Sequence, residues 1–313
     1  MLKTIKNILT KTPDEKSGNG LYVTLEDLVE QKKYLKYVRV SKRNLSKSQH
    51  SGDVKSAFKG RGVELEESRQ YIFGDDVRDI DWRLTARKQD PYTKIYNEEK
   101  DREVYVLLDV SKTMVFGTKK ELKSVAAAKT AALLGWTALE NKDRFGCLVY
   151  DGKSADLFKP QNSSKNVMAV FKKIADVSKA ILKNSKNDID LSRAVHILKK
   201  NVKSQPMIFV ISDFNDFSDA LKKSLAALAK VSSLYCIDIV DKLEEFPPKA
   251  GEYMIEDNNE KLVFNSGGKV FGREYLEYFA EKRQEIESFC KKFSIKFIVL
   301  HTDKDIHSQL NIA

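Results

Sequence analysis

Five near-continuous apolar runs, separated by helix-like stretches, constrain the fold of this chain more than any other feature. The runs span residues 104–108, 145–150, 207–211, 234–240 and 295–300. Unalternating runs rich in Val and Ile are typical of strands buried on both faces of a parallel sheet. Apolar residues at helical spacing lie between them, over residues 119–140, 191–203, 216–230 and 273–292. Strands that alternate with helices predict an α/β fold with an open, doubly wound, mostly parallel sheet.

Residues 251–272 interrupt this alternation with a predicted hairpin. Gly267-Gly268 is the turn signal between the apolar segments Leu262-Val263-Phe264 and Val270-Phe271. We therefore expect an inserted hairpin before the last predicted helix.

The first hundred residues are of a different kind. Residues 11–20 are polar, and residues 41–62 are rich in Ser, Lys and Gly, so both are predicted to be loops. Thr24-Leu25-Glu26-Asp27 has the spacing of a helix start with a capping side chain. We therefore divide the chain into an irregular or β-containing N-terminal extension over 1–102 and an α/β domain over 103–313.

Positive charge is concentrated near the N-terminus. The chain has 55 Lys and Arg against 45 Asp and Glu, and residues 1–61 hold 14 basic and 6 acidic side chains, a net charge of +8. A basic arm of this kind can bind nucleic acid, an anionic membrane surface or an acidic protein, or serve only as a solubilising face. Tyr34, Tyr37 and Phe58 are too scattered to form a stacking platform, so nucleic acid is a weak candidate.

Cysteine usage and the lack of a long apolar stretch favour a cytoplasmic protein. Cys147, Cys236 and Cys290 form no CxxC pair, which fits a reducing compartment better than a disulfide scaffold. No stretch of about 18 consecutive apolar residues is present, so we expect no transmembrane helix. Residues 1–11 place apolar residues on one helical face among lysines, which leaves a peripheral membrane contact open.

Polar side chains follow two of the predicted strands at the point where each strand ends. Asp109, Ser111 and Thr113 come after one strand, and Asp213 after another. If these strands are parallel and adjacent, the four side chains meet at the carboxyl edge of the sheet, where open α/β sheets bind ligands. Their carboxylates and hydroxyls are hard oxygen donors that Mg²⁺ accepts. The same spacing also fits a structural role, with Ser111 or Thr113 capping the next helix and Asp109 binding amides of the turn.

Two motifs resemble known families. The Asp-x-Ser-x-Thr spacing at Asp109 resembles the metal-ion-dependent adhesion site of von Willebrand factor A domains. A more specific string within residues 60–87 resembles the signature of the bacterial family catalogued as domain of unknown function fifty-eight. It reads Arg69-x-Tyr71, Gly74-Asp75-Asp76-x-Arg78, Ile80-Asp81-Trp82 and Thr85-Ala86-Arg87. The resemblance covers roughly residues 20–240.

The resemblance implies a von Willebrand factor A-like, Rossmann-like fold with an interaction role. Members of that family look like partners of MoxR-type AAA+ ATPases, which implies an adaptor or assembly factor for client proteins and not a catalyst. It also implies a Mg²⁺ ion held by Asp109, Ser111, Thr113 and, through water, Asp213. An Asp or Glu of the client would complete the coordination.

The sequence departs from the von Willebrand factor A pattern at Ile189. In those domains a threonine in the corresponding loop supplies a further metal ligand, whereas the stretch here is Asn187-Asp188-Ile189-Asp190-Leu191. Isoleucine cannot coordinate a metal. Either Asp188 or Asp190 compensates, or the site binds weakly or stays empty.

Charges of both signs alternate along the signature string, as the sequence of Arg69, Asp75, Asp76, Arg78, Asp79, Asp81 and Arg87 shows. Such density predicts a bonded polar network that clamps an irregular segment. Gly74-Asp75-Asp76 is the predicted turn, and Trp82 the predicted anchor in the core. The alternative is that the arginines face an acidic partner, but mixed charges favour the structural interpretation.

Motifs for catalysis are missing from the sequence. It contains no Gly-x-Ser-x-Gly elbow and no Gly-x-x-x-x-Gly-Lys-Ser/Thr phosphate loop. The four histidines, His50, His196, His301 and His307, have no metal-type spacing. We therefore expect a non-enzymatic interaction module. The alternative is a basic protein that binds nucleic acid or an anionic surface through residues 1–61.

Overall fold

The computed structural model of the chain describes residues 20–37, 39–40, 63–98, 101–183, 189–203, 205–257 and 260–312. Apart from Gly20, the loops predicted over 11–20 and 41–62 lie outside these residues, as does the apolar face predicted at 1–11. The chain divides into two compact units. Residues 1–44 and 102–313 form the first, here called the α/β unit, and residues 45–101 form the second, here called the signature unit.

The helices and strands of the described residues are numbered along the chain. The strands are β1 (Arg39–Val40), β2 (Val63–Gln70), β3 (Tyr92–Glu98), β4 (Glu103–Asp109), β5 (Arg144–Tyr150), β6 (Ala155–Gln161), β7 (Met207–Ser212), β8 (Ser233–Val240), β9 (Glu252–Asp257), β10 (Glu260–Asn265), β11 (Lys296–His301) and β12 (Asn311–Ile312). The helices are α1 (Leu25–Glu30), α2 (Trp82–Lys88), α3 (Lys123–Glu140), α4 (Ser164–Ile181), α5 (Leu191–Asn201), α6 (Asp219–Ala229), α7 (Lys269–Lys292) and α8 (Ile306–Gln309).

A six-stranded sheet forms the centre of the α/β unit, in the order β11-β8-β7-β4-β5-β6. Every neighbouring pair is parallel except β5 and β6. The five predicted strands and the mostly parallel, Rossmann-like sheet are confirmed. The prediction lacks β6 because this edge strand is at most half-buried and so has no continuous apolar run.

Helices cover both faces of this sheet. Helices α5, α6 and α7 pack with Tyr105 and Leu107 of β4 in one core cluster. Alternate residues of a strand point to opposite faces, and on the other face Val106 and Leu108 are fully buried, where α3 contacts β4. The sheet is therefore the middle layer of three. None of the helices in the described part of the chain is long and apolar enough to span a membrane.

Helix α3 is buried on nearly all sides, with 14 of its 18 residues inaccessible to solvent. A helix that is apolar all round needs cover on the side that faces away from the sheet. Helix α1 and the 3-10 turn Gln31–Tyr37 provide that cover, and the Trp136 Nε1 donates a hydrogen bond of 3.1 Å to the Leu28 carbonyl. Residues 20–37 therefore belong to the α/β unit, whereas the sequence division placed them in an extension ending at 102.

The inserted hairpin lies earlier than its predicted turn. Strands β9 and β10 pair antiparallel within 251–272, and residues 258–259 between them lie outside the described residues. The prediction of a turn at Gly267-Gly268 is wrong, because Gly268 is the N-cap of α7 and Val270 lies in that helix. The glycine pair before a charged amphipathic segment is here the boundary of a helix.

Helix α4 is a further element that the sequence analysis did not predict.

The signature unit contains an antiparallel pair, β2 and β3, with a register shift between Leu65 and Glu67. The 3-10 turn Val77–Asp79 and helix α2 lie between these two strands in the chain. The Tyr71 amide bonds the Pro91 carbonyl at 2.7 Å, which ties the two ends of this insertion together. The expectation of β structure before residue 102 is therefore met.

Leu28→Ala tests the docking of α1 on the α/β unit. Leu28 is fully buried, and truncation of a buried leucine costs about 2–5 kcal/mol, so we expect the free energy of unfolding to fall by that amount in urea denaturation. Lys33→Ala is the control, because its side chain in the same segment is 69% exposed. Equal and small effects of both changes would show that this segment contributes no stability.

Candidate functional site

Two adjacent parallel strands end at the same level of the central sheet. Strand β4 pairs with β7, and Leu108 lies opposite Ile211. Asp109 is the last residue of β4, and Asp213 follows the last residue of β7. The two carboxylates therefore lie side by side at the carboxyl edge of the sheet, which is the arrangement that the sequence prediction required.

The loop after β4 brings two hydroxyls to the same edge. Ser111 precedes the 3-10 turn Lys112–Met114, and its amide donates to Asp109 Oδ1 at 2.9 Å. Ser111 Oγ lies 3.3 Å from Thr113 Oγ1, and Thr113 Oγ1 donates to Asp213 Oδ1 at 3.4 Å. These four predicted residues line one cavity of about 270 Å³, here called the edge cavity.

The alternative of a purely structural role, in which Asp109 binds turn amides and Ser111 caps the next helix, holds for Asp109 but not for Ser111. Asp109 does bind a turn amide, that of Ser111. Ser111 occupies the cap position of the turn, but its side chain makes no capping hydrogen bond there. Its hydroxyl is therefore directed to the cavity side of the loop, toward Thr113.

Ser212 belongs to the edge cavity as well, although the sequence did not single it out. Its hydroxyl donates to Asp109 Oδ2 at 2.6 Å and accepts a hydrogen bond from the Phe214 amide at 3.2 Å. Ser212 is level with Asp109 because the residues before them, Leu108 and Ile211, are paired. That register is the signal that could have identified Ser212, and the sequence alone does not fix it.

The residue after Asp213 has an unusual backbone conformation. Phe214 has a φ of 44°, in the left-handed region, and its ring is buried. Such a conformation costs on the order of 1–3 kcal/mol in a bulky residue and is found most often at functional sites. It turns the chain so that the Asn215 amide donates back to Asp213 Oδ1 at 3.1 Å. The strained backbone at Phe214 therefore helps to fix the orientation of the Asp213 carboxylate.

Negative charge is crowded at this edge. Burial and then the nearby Asp213 carboxylate raise the pKa of Asp109 to about 6. Asp238, on β8 opposite Ser212, is also buried, and burial followed by Asp213 and Glu244 raises its pKa to about 8. The folded chain therefore resists placing full charge on both groups, because charged carboxylates lose hydration and repel one another there.

A lysine that the sequence reading missed partly offsets this charge. Lys123 is the first residue of α3, and its side chain is only 3% exposed. Its Nζ lies 2.8 Å from Asp213 Oδ2 and 2.8 Å from Glu244 Oε1. Nothing in the sequence pattern distinguishes Lys123 from its neighbours Lys119 and Lys120, because only the start of α3 places it inside.

Ile189, Asp190 and Leu191 are the described residues of their loop that line the edge cavity. The Ile189 side chain packs against the core, and its carbonyl accepts a hydrogen bond from the Tyr150 hydroxyl. Asp190 lines the cavity but caps α5, since its two oxygens accept from the Ser192 amide at 2.8 Å and the Ser192 hydroxyl at 3.0 Å. Asp188 lies outside the described residues.

The donors at the edge cavity fit a hard divalent cation. Two carboxylates and two hydroxyls, all of them hard oxygen donors, face one space, and Asp213 Oδ1 already accepts hydrogen bonds from Thr113 and the Asn215 amide. Among the described residues, no cluster of three or more His, Cys, Asp or Glu side chains is arranged to hold a metal. A cation here would depend on Ser111 and Thr113 as well as on Asp109 and Asp213.

The polar network predicted for the signature string is present in the signature unit. Arg69 Nη2 bonds Asp75 Oδ1 at 2.6 Å, and Asp75 Oδ2 accepts from the Ile72 amide at 3.0 Å. Gly74, at a φ of 107°, completes the predicted turn. Asp76 accepts from the Arg78 amide at 2.9 Å and so caps the 3-10 turn.

Asp81 caps α2 in the same unit. Its Oδ1 accepts from the Leu84 amide at 3.1 Å, and its Oδ2 accepts from the Ser68 hydroxyl at 3.3 Å. The hydrogen bond from Leu84 is the main cause that holds the pKa of Asp81 below its usual value. These acidic residues therefore shape the backbone of the unit.

The prediction that Trp82 anchors the core is wrong, because its side chain is 66% exposed. Trp82 is the first residue of α2, and Arg83 and Arg87, one turn apart on the same helix, are exposed as well. Phe73 at the turn is fully exposed, as is much of Arg78. Ile72, Phe73, Val77 and Trp82 of this string thus face solvent, while its acidic side chains hold the backbone.

Comparison with known families gives a match over most of the chain. The family described as "Protein of unknown function DUF58" matches residues 67–285. The chain belongs to this family. The matched residues include the network around Asp75 and Asp81 as well as the residues of the edge cavity. Both features therefore lie within the DUF58 region of the chain.

Relatives of this DUF58 chain include mycobacterial proteins that are described only as uncharacterized. The proteins Mb1516 of Mycobacterium bovis and Rv1480 of Mycobacterium tuberculosis are each 24% identical over 255 residues, which is 81% of this chain and 79% of theirs. Among solved structures, the conserved hypothetical protein BatB from Bacteroides thetaiotaomicron is 15% identical and covers 62% of this chain and 98% of its own. Its TM-score of 0.34 is too low to relate the two folds.

Asp238→Asn tests the crowding of charge at this edge. The folded-state pKa of Asp238 lies above the value of about 3.9 of a free Asp, so the folded state keeps a proton that the unfolded state loses, and stability falls as pH rises from about 4 towards 8. We expect the variant to be more stable than the wild type by roughly 2–5 kcal/mol at pH 8, with little difference at pH 4. Urea denaturation at both pH values measures this.

The control for this change is Asp216→Asn, which removes an exposed carboxylate from the rim of the edge cavity. Its effect on stability should stay small, because the side chain is exposed. A pH-independent effect of Asp238→Asn would contradict the crowding of charge.

Proposed function

We propose that this chain is a non-enzymatic protein-interaction module with a von Willebrand factor A-like fold, and that its edge cavity binds Mg²⁺ for contact with a partner. The observation that carries the proposal is the convergence of Asp109, Ser111, Thr113 and Asp213 on one cavity at the carboxyl edge of the sheet. Asp213 contributes through water in this arrangement, because Thr113 and the Asn215 amide already bond its Oδ1.

The chemistry of the partner follows from that of the cavity. A Mg²⁺ ion prefers six oxygen ligands, and the four side chains supply fewer than that. A carboxylate from a client protein is a hard anionic oxygen that can complete the set. The ion would supply the attraction, while Asp109, Ser111 and Thr113 would position it at the surface.

Several features support an interaction role over catalysis. The described lining of the edge cavity holds no histidine beside Ser111 or Ser212, so it offers no serine–histidine pair for nucleophilic attack. The Ser212 hydroxyl donates a hydrogen bond to Asp109 Oδ2 at 2.6 Å and is thus held at the end of its strand. We therefore infer that the serine hydroxyls of the cavity hold other groups in position and do not attack a substrate.

The larger assembly is also proposed. The signature string resembles proteins that work with MoxR-type AAA+ ATPases, so we infer that such an ATPase acts on the complex of this chain and its client. The exposed side chains of α2, Trp82, Arg83 and Arg87, are a candidate contact for the ATPase, since Trp and Arg are enriched at the centres of interfaces. The alternative, binding to nucleic acid or an anionic surface through residues 1–61, rests on net charge alone.

Titration of Mn²⁺, a spectroscopic substitute for Mg²⁺, tests the cation site. We expect the wild type to bind one ion and Asp109→Ala to lose at least about tenfold in affinity, because a buried anionic ligand is removed. Asp216→Ala is the matched control, because Asp216 is an exposed rim carboxylate of the same cavity. Electron paramagnetic resonance of free Mn²⁺ measures both. Absence of binding to the wild type would contradict the cation site.

Capture of a purified MoxR-type ATPase from the same genome, with and without Mg²⁺, tests the partner. Trp82→Ala should weaken capture by at least about tenfold if Trp82 is a central contact. Asp90→Ala is the control, since Asp90 is exposed in the same unit but lies beyond the end of α2. Unchanged capture by Trp82→Ala would show that α2 is not the contact with the ATPase. That result would not bear on the proposal for the edge cavity.

A further inference from the structure

Lys123 occupies a position that is unfavourable for a cation. It is the first residue of α3, and the first turn of that helix has no acidic side chain. The N-terminus of a helix carries partial positive charge from its free amides, so a lysine there is repelled. Burial of an ammonium group adds a cost of lost hydration. A buried lysine at this point therefore needs strong partners.

Two carboxylates from other elements hold Lys123 in place. Its Nζ lies 2.8 Å from Asp213 Oδ2, at the end of β7, and 2.8 Å from Glu244 Oε1. Glu244 is itself fixed, because its Oε2 accepts from the Asp241 amide at 2.9 Å. The ammonium group is thus held between the residue after β7 and the 3-10 turn Lys242–Glu244 that follows β8.

The ion pair divides the two oxygens of Asp213. Oδ2 bonds Lys123, while Oδ1 bonds Thr113 at 3.4 Å and the Asn215 amide at 3.1 Å on the cavity side. Lys123 therefore binds Asp213 from the side that faces away from the edge cavity. A cation in the edge cavity would approach the same carboxylate from the opposite side. Lys123 and such a cation compete for one negative charge.

Two other cations, Lys282 and Arg283, lie near Asp213 on the side away from the edge cavity, but neither is bonded to it, so Lys123 is the cation that offsets the charge of Asp213. Asp238 and Glu244 share a small cavity with Asp213, lined as well by Lys282 and Arg283. Lys282 Nζ bonds the Asn215 Oδ1 at 2.8 Å, and Arg283 bonds Glu245 at 2.8 Å, so these two cations are directed to other groups.

We propose that Lys123 is a built-in counter-cation, which neutralises Asp213 from behind and so lowers the affinity of the edge cavity for a divalent ion. The inference rests on the proposed function only in treating the edge cavity as the place where a cation binds. It assigns Lys123 the role of a positioning residue that sets how strongly the cavity attracts a cation. A weakly held ion depends on a further anionic ligand, so a partner carboxylate gains importance.

Mn²⁺ titration of Lys123→Met tests this role. The change removes one positive charge close to the cavity with little change in side-chain length, so we expect Mn²⁺ to bind at least about tenfold more tightly than to the wild type. Lys123→Arg keeps the charge and should bind within about threefold of the wild type. The double variant Lys123→Met/Asp109→Ala should lose the gain, which places the ion in the edge cavity.

The outcomes separate this inference from the proposed function. Tighter binding to Lys123→Met with no binding to the wild type would support the counter-cation and overturn the Mg²⁺ site of the natural chain. Binding to the wild type with equal or weaker binding to Lys123→Met would overturn the counter-cation alone. No binding to either would overturn both.

A second readout covers the folding of the variant. Loss of Lys123 leaves Asp213 and Glu244 without their shared cation, so Mn²⁺ should raise the melting temperature of Lys123→Met more than that of the wild type. If circular dichroism shows Lys123→Met to be unfolded without metal, Lys123→Gln takes its place, since its amide still donates one hydrogen bond. An equal thermal shift for wild type and variant would contradict the inference.

Discussion

The ion pair between Lys123 and Asp213 joins the parts of the molecule on which the candidate site depends. It links the start of α3 to the end of β7, and through Glu244 it reaches the segment after β8. A buried ion pair of this kind contributes little net stability, because lost hydration offsets the attraction, but loss of one partner leaves an uncompensated charge. Its effect is to fix which oxygen of Asp213 faces the edge cavity.

The position of Lys123 follows in turn from the burial of α3. This alanine-rich helix lies between the sheet on one side and α1 with the following 3-10 turn on the other, and it also contacts α4. Because nearly every side of the helix is covered, its first residue is buried with it. Residues 20–37 help to place the start of α3, since the Gly20 carbonyl accepts a hydrogen bond from the Leu122 amide at 2.9 Å, although they lie about a hundred residues away in sequence.

Much of this arrangement was predictable, and the remainder depended on register and helix phase. Unalternating apolar runs identified the five buried strands, and chain position alone placed Asp109, Ser111, Thr113 and Asp213 at their ends. Ser212 and Lys123 could not be found that way, because the first needs the pairing of β4 with β7 and the second the start of α3. Trp82 was misjudged because a large aromatic residue usually lies in a core, whereas here the acidic residues of the string hold the backbone and leave the ring exposed.

The most direct measurement is an anomalous difference map from crystals of the wild-type protein soaked in Mn²⁺. We predict one strong peak in the edge cavity, within bonding distance of Asp109, Ser111 and Thr113, with Lys123 still bonded to the far oxygen of Asp213. A map with no peak in that cavity, from crystals in which the cavity is open to solvent, would contradict a cation-dependent contact at this edge of the sheet.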